Sequence, residues 1–124
     1  MHTLGVDIIE INRIAQTVER WGVRFLSRIY TRNELAYCRG RSPQLASRFA
    51  AKEAVMKALG TGRHGVDWLD IEVIRLPGGR PAVQLHGRAS KVAQTIGTRH
   101  IALSLSHSRD YAVASVVMTT KEKV

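Results

Sequence analysis

Apolar positions change their period along this chain, and the changes mark out its elements. Leu4 to Ile9 is a short, β-branched apolar run that predicts a buried strand, interrupted by one acid, Asp7. On that strand Gly5, Asp7 and Ile9 share a face. From about Ile11 the spacing turns helical: Ile11, Ile14, Ala15, Val18 and Trp21 form one stripe, while Arg13 and Arg20 line a face that stays wet. Gly22 ends or disturbs this helix. Thr31-Arg32-Asn33-Glu34 has the form of a capping box and predicts a short helix with Leu35, Tyr37 and Cys38. Ser42 and Pro43 suit the N-cap and first turn of a longer helix, which Gly60 stops.

On that longer helix, at about 100° per residue, Leu45, Phe49, Met56 and Leu59 fall within one core-facing sector roughly 80° wide. Lys52 projects from the middle of the sector, and Glu53 and Lys57 sit along its edge, one turn apart. A lysine among core residues is costly unless it is paired or faces an anion. Two readings stay open: a snorkelling lysine beside a Glu53–Lys57 pair, or cations turned toward a bound anionic group.

From Trp68 the period becomes two. Leu69, Ile71, Val73 and Arg75 alternate with Asp70, Glu72, Ile74 and Leu76, predicting a strand. Pro77 to Pro81 is a turn, and Ala82 to Leu85 is the return strand of a hairpin. Gly87 to Ile96 suits a helix with Ala89, Val92, Ala93 and Ile96 inward. Ile101 to Ser106 and Tyr111 to Met118 are two final strands, joined by His107-Ser108-Arg109-Asp110, and Lys121 to Val124 is a fraying tail. The order predicts one α+β domain over 1–124, a small, mostly antiparallel sheet packed against a long central helix.

A length of 124 residues supports one hydrophobic core. No apolar run approaches the ~20 residues that span a bilayer, and Thr3 to Asp7 lacks the layout of a signal peptide. Cys38 has no partner cysteine for a disulfide or zinc site, so a reducing cytoplasm and no membrane are expected. Nineteen Lys and Arg against ten Asp and Glu give a net charge of +9. Such a surface attracts polyanions, whether nucleic acid, a phosphorylated cofactor or an acidic protein.

Gly60-Thr61-Gly62-Arg63-His64-Gly65 satisfies G-x-G-x-x-G, but it follows a helix whose carbonyl end repels phosphate, so the dinucleotide reading fails. Asp7 is either a strand-end carboxylate capping the next helix or, with Glu53, one of two hard oxygen ligands. Mg²⁺ takes one or two carboxylates and completes its shell with water and substrate phosphates. Lys57 would then neutralise phosphate charge, and a diphosphate substrate fits. A Mg²⁺-dependent nuclease also uses Asp, Glu and Lys, commonly as E-x-K on a strand; the helical spacing here disfavours it. A small basic nucleic-acid-binding protein is a further alternative, although its few aromatic residues are not interleaved with the basic ones. His107 closes a strand where the core meets a turn, as a structural histidine, a phosphate ligand or a proton carrier. His2, His64, His86 and His100 are expected at the surface.

Gly5-Val6-Asp7-Ile8-Ile9-Glu10, Arg48-Phe49-Ala50-Ala51-Lys52-Glu53-Ala54 with Lys57-Ala58-Leu59-Gly60, and Ser104-Leu105-Ser106-His107-Ser108 with Tyr111-Ala112-Val113-Ala114 resemble holo-acyl-carrier-protein synthase. This is the small bacterial class of 4′-phosphopantetheinyl transferases. The likeness runs through Asp70-Ile71-Glu72-Val73 and Gly79-Arg80-Pro81 and departs around Trp21-Gly22-Val23. It implies the transferase fold, a homotrimer with active sites shared between subunits, and no nucleic-acid partner. The implied reaction, in support of fatty acid biosynthesis, moves the phosphopantetheine arm of coenzyme A to a serine of apo-acyl carrier protein and releases adenosine 3′,5′-bisphosphate. By the same resemblance Asp7 and Glu53 bind Mg²⁺ and Lys57 contacts the diphosphate, the three together being catalytic. Arg48 and His107 hold the 3′-phosphate, and Gly79, Arg80 and Pro81 lie near the adenine. Lys52 and Gly60 belong to the same coenzyme A set, and Arg13, Arg20 and Arg24 receive the acidic carrier protein. Glu53, a water on the metal or His107 is the base.

Overall fold

The computed structural model describes residues 1–62 and 65–121; His64, the middle of the glycine-rich loop and most of the expected tail lie outside the described residues. Strand β1 (His2–Glu10) leads into helices α1 (Ile11–Trp21), α2 (Val23–Ile29), α3 (Arg32–Cys38) and α4 (Ser42–Leu59). After a 3₁₀ turn at Trp68–Asp70 come β2 (Ile71–Arg75), β3 (Pro81–Leu85), α5 (Gly87–Thr95), β4 (Thr98–His107) and β5 (Tyr111–Thr120). The α+β order expected from the sequence is present. The strands form two small antiparallel sheets instead of one: β1-β5-β4 and the β2–β3 hairpin. β3, opened by Pro81 with no N–H to donate, packs beside β4 without pairing to it.

Helix α4 runs between two cores. On one side Ala50, Ala51, Ala54, Val55 and Ala58 pack with Ile71, Val73, Ala114, Val116 and Met118. Toward its start Leu45 and Ala46 pack with Ile11, Ile14, Ile29, Tyr30, Cys38 and Ala112. The narrow apolar sector read from the sequence is therefore too narrow, because small alanines bury the remaining faces as well.

Several local expectations shift for physical reasons. Gly22, at φ +53, ends α1, but the chain at once starts a seven-residue helix, α2, whose Phe25, Leu26 and Ile29 turn inward. Trp21, expected on the buried stripe of α1, is half exposed beneath the Arg20 guanidinium, 5.1 Å from its ring. Arg41, not Ser42, is the N-cap of α4; its guanidinium instead closes the end of α3, donating to the carbonyls of Cys38 and Tyr37 at 2.9 and 2.7 Å. Asp67 accepts from the Leu69 amide and winds Trp68–Asp70 into a 3₁₀ turn, which delays β2 to Ile71. Ile96 caps α5 and is partly exposed rather than inward.

The capping box at Thr31 forms, with Glu34 N donating to Thr31 Oγ1 and Thr31 N to Glu34 Oε1. Glu34 also does something the motif does not announce. It is buried, accepts from the Val73 amide, and forms an ion pair of 2.7 Å with Lys52 Nζ. Lys52 further donates to the carbonyls of Trp68 (3.1 Å) and Ile71 (2.6 Å). The Lys52 side chain is 0% exposed, so the expectation that it contacts a cofactor is corrected: its charge is spent inside the fold. Burial holds the Lys52 ammonium below its ordinary range, opposed by the attraction of Glu34.

Glu72, outward by strand alternation, is buried too, held by Thr31 Oγ1 at 2.6 Å and His86 Nε2 at 3.0 Å. Burial alone would raise its carboxyl, but those hydrogen bonds outweigh it and leave the group below the usual carboxylate range. His86, exposed as expected, is thereby also a partner to Glu72.

Candidate active site

The close approach of β1 to α4 begins at Gly5. A Cβ there would stand 1.8 Å from the Ala54 carbonyl oxygen, so only glycine lets strand and helix touch. That contact brings Asp7, two residues on and on the same face, alongside the turn carrying Glu53 and Lys57. Asp7 and Glu53 line one cavity of about 350 Å³, with Arg13, Phe25 and Phe49 around them. Lys57 Nζ donates to Val6 O at 2.9 Å and to Asp7 Oδ1 at 3.2 Å while remaining half exposed. The three residues singled out for catalysis are thus assembled by one strand–helix contact.

The donor set suits a hard cation in one particular way. Among the described residues no group of three or more His, Cys, Asp or Glu converges. Two carboxylates on one cavity match an ion that takes its remaining ligands from water and substrate phosphate. The lysine that neutralises Asp7 here could equally turn toward phosphate oxygens.

On the other side of the helix, Arg48 is buried and lies with its Cζ 4.4 Å from the Tyr37 ring. Arg75 approaches the same ring at 4.6 Å, and its Nε donates to Gly79 O at 3.4 Å. Arg75 is also opposite Pro81 in the hairpin register. The expected residues Arg48, Gly79 and Pro81 are therefore brought together, through Tyr37 and Arg75, which sequence reasoning missed; Arg80 sits in the same turn, its carbonyl accepting from the Leu76 amide. Arg75 shares strand parity with Ile71 and Val73 but lies at the exposed end of β2, so alternation alone does not mark it. Arg48 and Glu53 are five residues apart on α4, ~7.5 Å along its axis and about 140° around it, so the two clusters lie on different faces of the same helix. Gly60 and Lys57 line a further cavity of about 640 Å³ with Met1, Thr3 and Ile96.

His107 stands apart from both clusters. It is exposed at the end of β4, opposite Ala112, and its imidazole makes no hydrogen bond or ion pair with another described residue. Arg24, Arg28, Trp21 and Phe25 line a groove of about 340 Å³. Thr17 and Phe25 border this groove and the carboxylate cavity alike, so the arginine patch adjoins Asp7 and Glu53. The outer face of β1 is open: Leu4, Val6 and Ile8 are 68%, 57% and 60% exposed. No helix among the described residues is long and apolar enough to cross a membrane.

The chain is similar to known proteins in both sequence and fold. The family model for the 4′-phosphopantetheinyl transferase superfamily matches residues 3–116. A holo-[acyl-carrier-protein] synthase of Koribacter versatilis is 55% identical over 118 residues, covering 92% of this chain and 94% of that protein. One from Dehalococcoides mccartyi is 52% identical over 113 residues, covering 91% and 94%. Among solved structures, the Helicobacter pylori holo-[acyl-carrier-protein] synthase in complex with coenzyme A superposes with a TM-score of 0.86 at 32% identity, covering 94% of this chain and 99% of that one. The Neisseria meningitidis enzyme gives a TM-score of 0.87 at 34% identity, covering 95% and 98%. Matched nearly end to end in both sequence and fold, the chain belongs to the 4′-phosphopantetheinyl transferase superfamily.

Proposed function

We propose that this protein is a holo-acyl-carrier-protein synthase of the cytoplasm, moving 4′-phosphopantetheine from coenzyme A to a serine of apo-acyl carrier protein. The observation that carries the reading is the cavity holding Asp7 and Glu53, with Lys57 against Asp7 and an arginine-rich groove opening beside it. In the reaction the serine oxygen bonds to the β-phosphorus of coenzyme A, and the bond from that phosphorus to the oxygen of adenosine 3′,5′-bisphosphate breaks. Asp7 and Glu53 would hold Mg²⁺, which when bound supplies charge neutralisation at the diphosphate. Lys57 moves from Asp7 onto the phosphate oxygens and gives its proton to the departing bisphosphate. Glu53 accepts the serine proton, because it lines the cavity and His107 does not.

Arg48 and the Gly79–Pro81 turn take the 3′-phosphate and the adenine. Arg13, Arg20 and Arg24 receive the acidic carrier: Arg13 lines the carboxylate cavity, Arg24 lines the groove beside it, and Arg20 lies over Trp21 in the groove wall. A homotrimer fits the open face of β1, an exposed apolar stripe on an edge strand, and would let the end of a neighbour's β4 bring its His107 to the 3′-phosphate. Neither the nuclease nor the nucleic-acid-binding reading is favoured by any feature of the site.

Incubation with coenzyme A, Mg²⁺ and an apo-carrier protein should add one phosphopantetheine to the carrier serine, read by mass spectrometry. EDTA should abolish the gain and Mg²⁺ restore it, and light scattering should return three times the chain mass. A folded enzyme that leaves a competent carrier unmodified would refute the activity; transfer that survives EDTA would refute the metal assignment alone.

A further inference from the structure

Three guanidinium groups from two elements and a helix cap gather on one neutral ring. Arg48 Cζ is 4.4 Å, Arg75 4.6 Å and Arg41 5.3 Å from the centre of Tyr37. Cation–π attraction can hold arginines in place, but it leaves their charge uncancelled. Among the described residues none of the three is ion-paired to a carboxylate. Like charges collected without a counter-ion favour an anion in their midst.

The three are not equivalent. Arg41 commits Nε and Nη2 to the end of α3. Arg48 is only 6% exposed, yet of its five donors just one is used on a described residue, Nη1 to Ser47 Oγ at 3.1 Å. Arg75 uses Nε on Gly79 O and leaves both terminal nitrogens without a hydrogen-bond partner among the described residues. The turn is shaped around it: a Cβ at Gly79, whose φ is +91, would fall 2.6 Å from Arg75 Nη2. Two guanidinium forks with spare donors, fixed by one ring and closed by a glycine turn, match a phosphomonoester dianion better than a diester, which offers fewer terminal oxygens and one charge fewer.

We propose that Arg75 is a second guanidinium for the 3′-phosphate of coenzyme A and that Tyr37 is the positioning residue aiming Arg48 and Arg75 at it, so this trio sets the preference for the 3′-phosphorylated donor. The inference rests on the reading of coenzyme A as donor. Arg75 is exposed, so Arg75→Gln leaves the core intact. Its KM for coenzyme A should rise about tenfold, the low end for a lost charge-assisted hydrogen bond, with kcat little changed. KM for 3′-dephospho-coenzyme A should rise far less, so the selectivity ratio falls by about the same factor. Tyr37→Leu should lower that ratio similarly, and Tyr37→Phe, which keeps the ring, should restore it. Equal losses with both donors, or none with either, would overturn the assignment. Calorimetry with adenosine 3′,5′-bisphosphate and with adenosine 5′-monophosphate reads the same preference without turnover. If the wild-type protein binds both equally, the cradle is refuted. If it favours the bisphosphate and Arg75→Gln does not, the cradle stands even should carrier transfer fail, and only the proposed activity falls.

Discussion

Replacing Lys52 by methionine separates the two readings the sequence left open for it. Methionine has nearly the same length and volume, so the cavity stays filled; what disappears is the ammonium. Glu34, itself 1% exposed, would then keep a carboxylate with no cation beside it, and the carbonyls of Trp68 and Ile71 would lose a donor. Breaking a buried pair from one side costs about 3–5 kcal/mol. That is a large share of the roughly 5–15 kcal/mol that stabilises a domain. At this chain length about 1 kcal/mol moves Tm by about 4 °C, so Lys52→Met should melt about 12–20 °C below wild type, followed by far-ultraviolet circular dichroism. Adding Glu34→Gln removes the orphaned charge while keeping an acceptor, and the double variant should recover about 0.5–3 kcal/mol of the loss. If Lys52 faced a cofactor instead, Lys52→Met would melt within about 2 °C of wild type and show its defect in KM for coenzyme A. That result would refute the structural role.

Three other outcomes test the surrounding argument. Gly5→Ala drives a methyl into the Ala54 carbonyl, so it should cost about 3 kcal/mol or more, measured by urea unfolding, and the surviving folded fraction should lose transfer activity because Asp7 moves off Glu53. Burial pushes the Cys38 thiol up to about 11 from 9.0. Between those values the unfolded chain releases a proton that the fold retains, so stability present below pH 9 should fall as pH rises toward 11, and the urea midpoint of Cys38→Ala should fall less; equal slopes would remove this cause. Buried Tyr30, whose hydroxyl donates to Leu45 O, is pushed up in the same sense and accounts for slope that Cys38→Ala leaves behind. Arg20→Glu with Arg24→Glu should raise KM for the carrier and flatten the salt dependence of wild type, leaving KM for coenzyme A in place; unaltered carrier kinetics would move the docking face elsewhere.

What the sequence made legible was set by short-range rules. The capping box at Thr31, the Gly60 stop and the β2–β3 hairpin depend on residues within a few positions of one another, and each forms close to where the pattern puts it. Helix α2 was hidden because it is only seven residues long and begins directly at a glycine, where turn signals outweigh periodicity. The outward tilt of Trp21 was hidden for a related reason: a stripe predicts burial only where another element covers it. Glu72 and Glu34 defeat strand and helix parity because their partners, Thr31, His86, Val73 and Lys52, come from other elements.

The candidate site divides along the same line. Asp7 with Glu53 and Lys57 could be picked out because acids and lysines stand out in apolar runs, and Gly5 supplies the approach that unites them. Lys52 stood out for the same reason and belongs to the core, so an odd charge in an apolar stripe marks a partner without saying whether that partner is ligand or protein. The difference lies in position: Lys52 meets a carboxylate from α3 inside the fold, whereas Lys57, one turn further on, reaches Asp7 at the rim of an open cavity. Tyr37 and Arg75 carry no such oddity, being ordinary residues at ordinary helix and strand ends. Their significance arises only where α3, α4 and the β2–β3 turn meet, at a point where positive charge accumulates with nothing in the described chain to offset it. A basic chain spends much of its charge on solvation; charge held against a ring, beside a buried arginine, is what the proposed phosphate would offset.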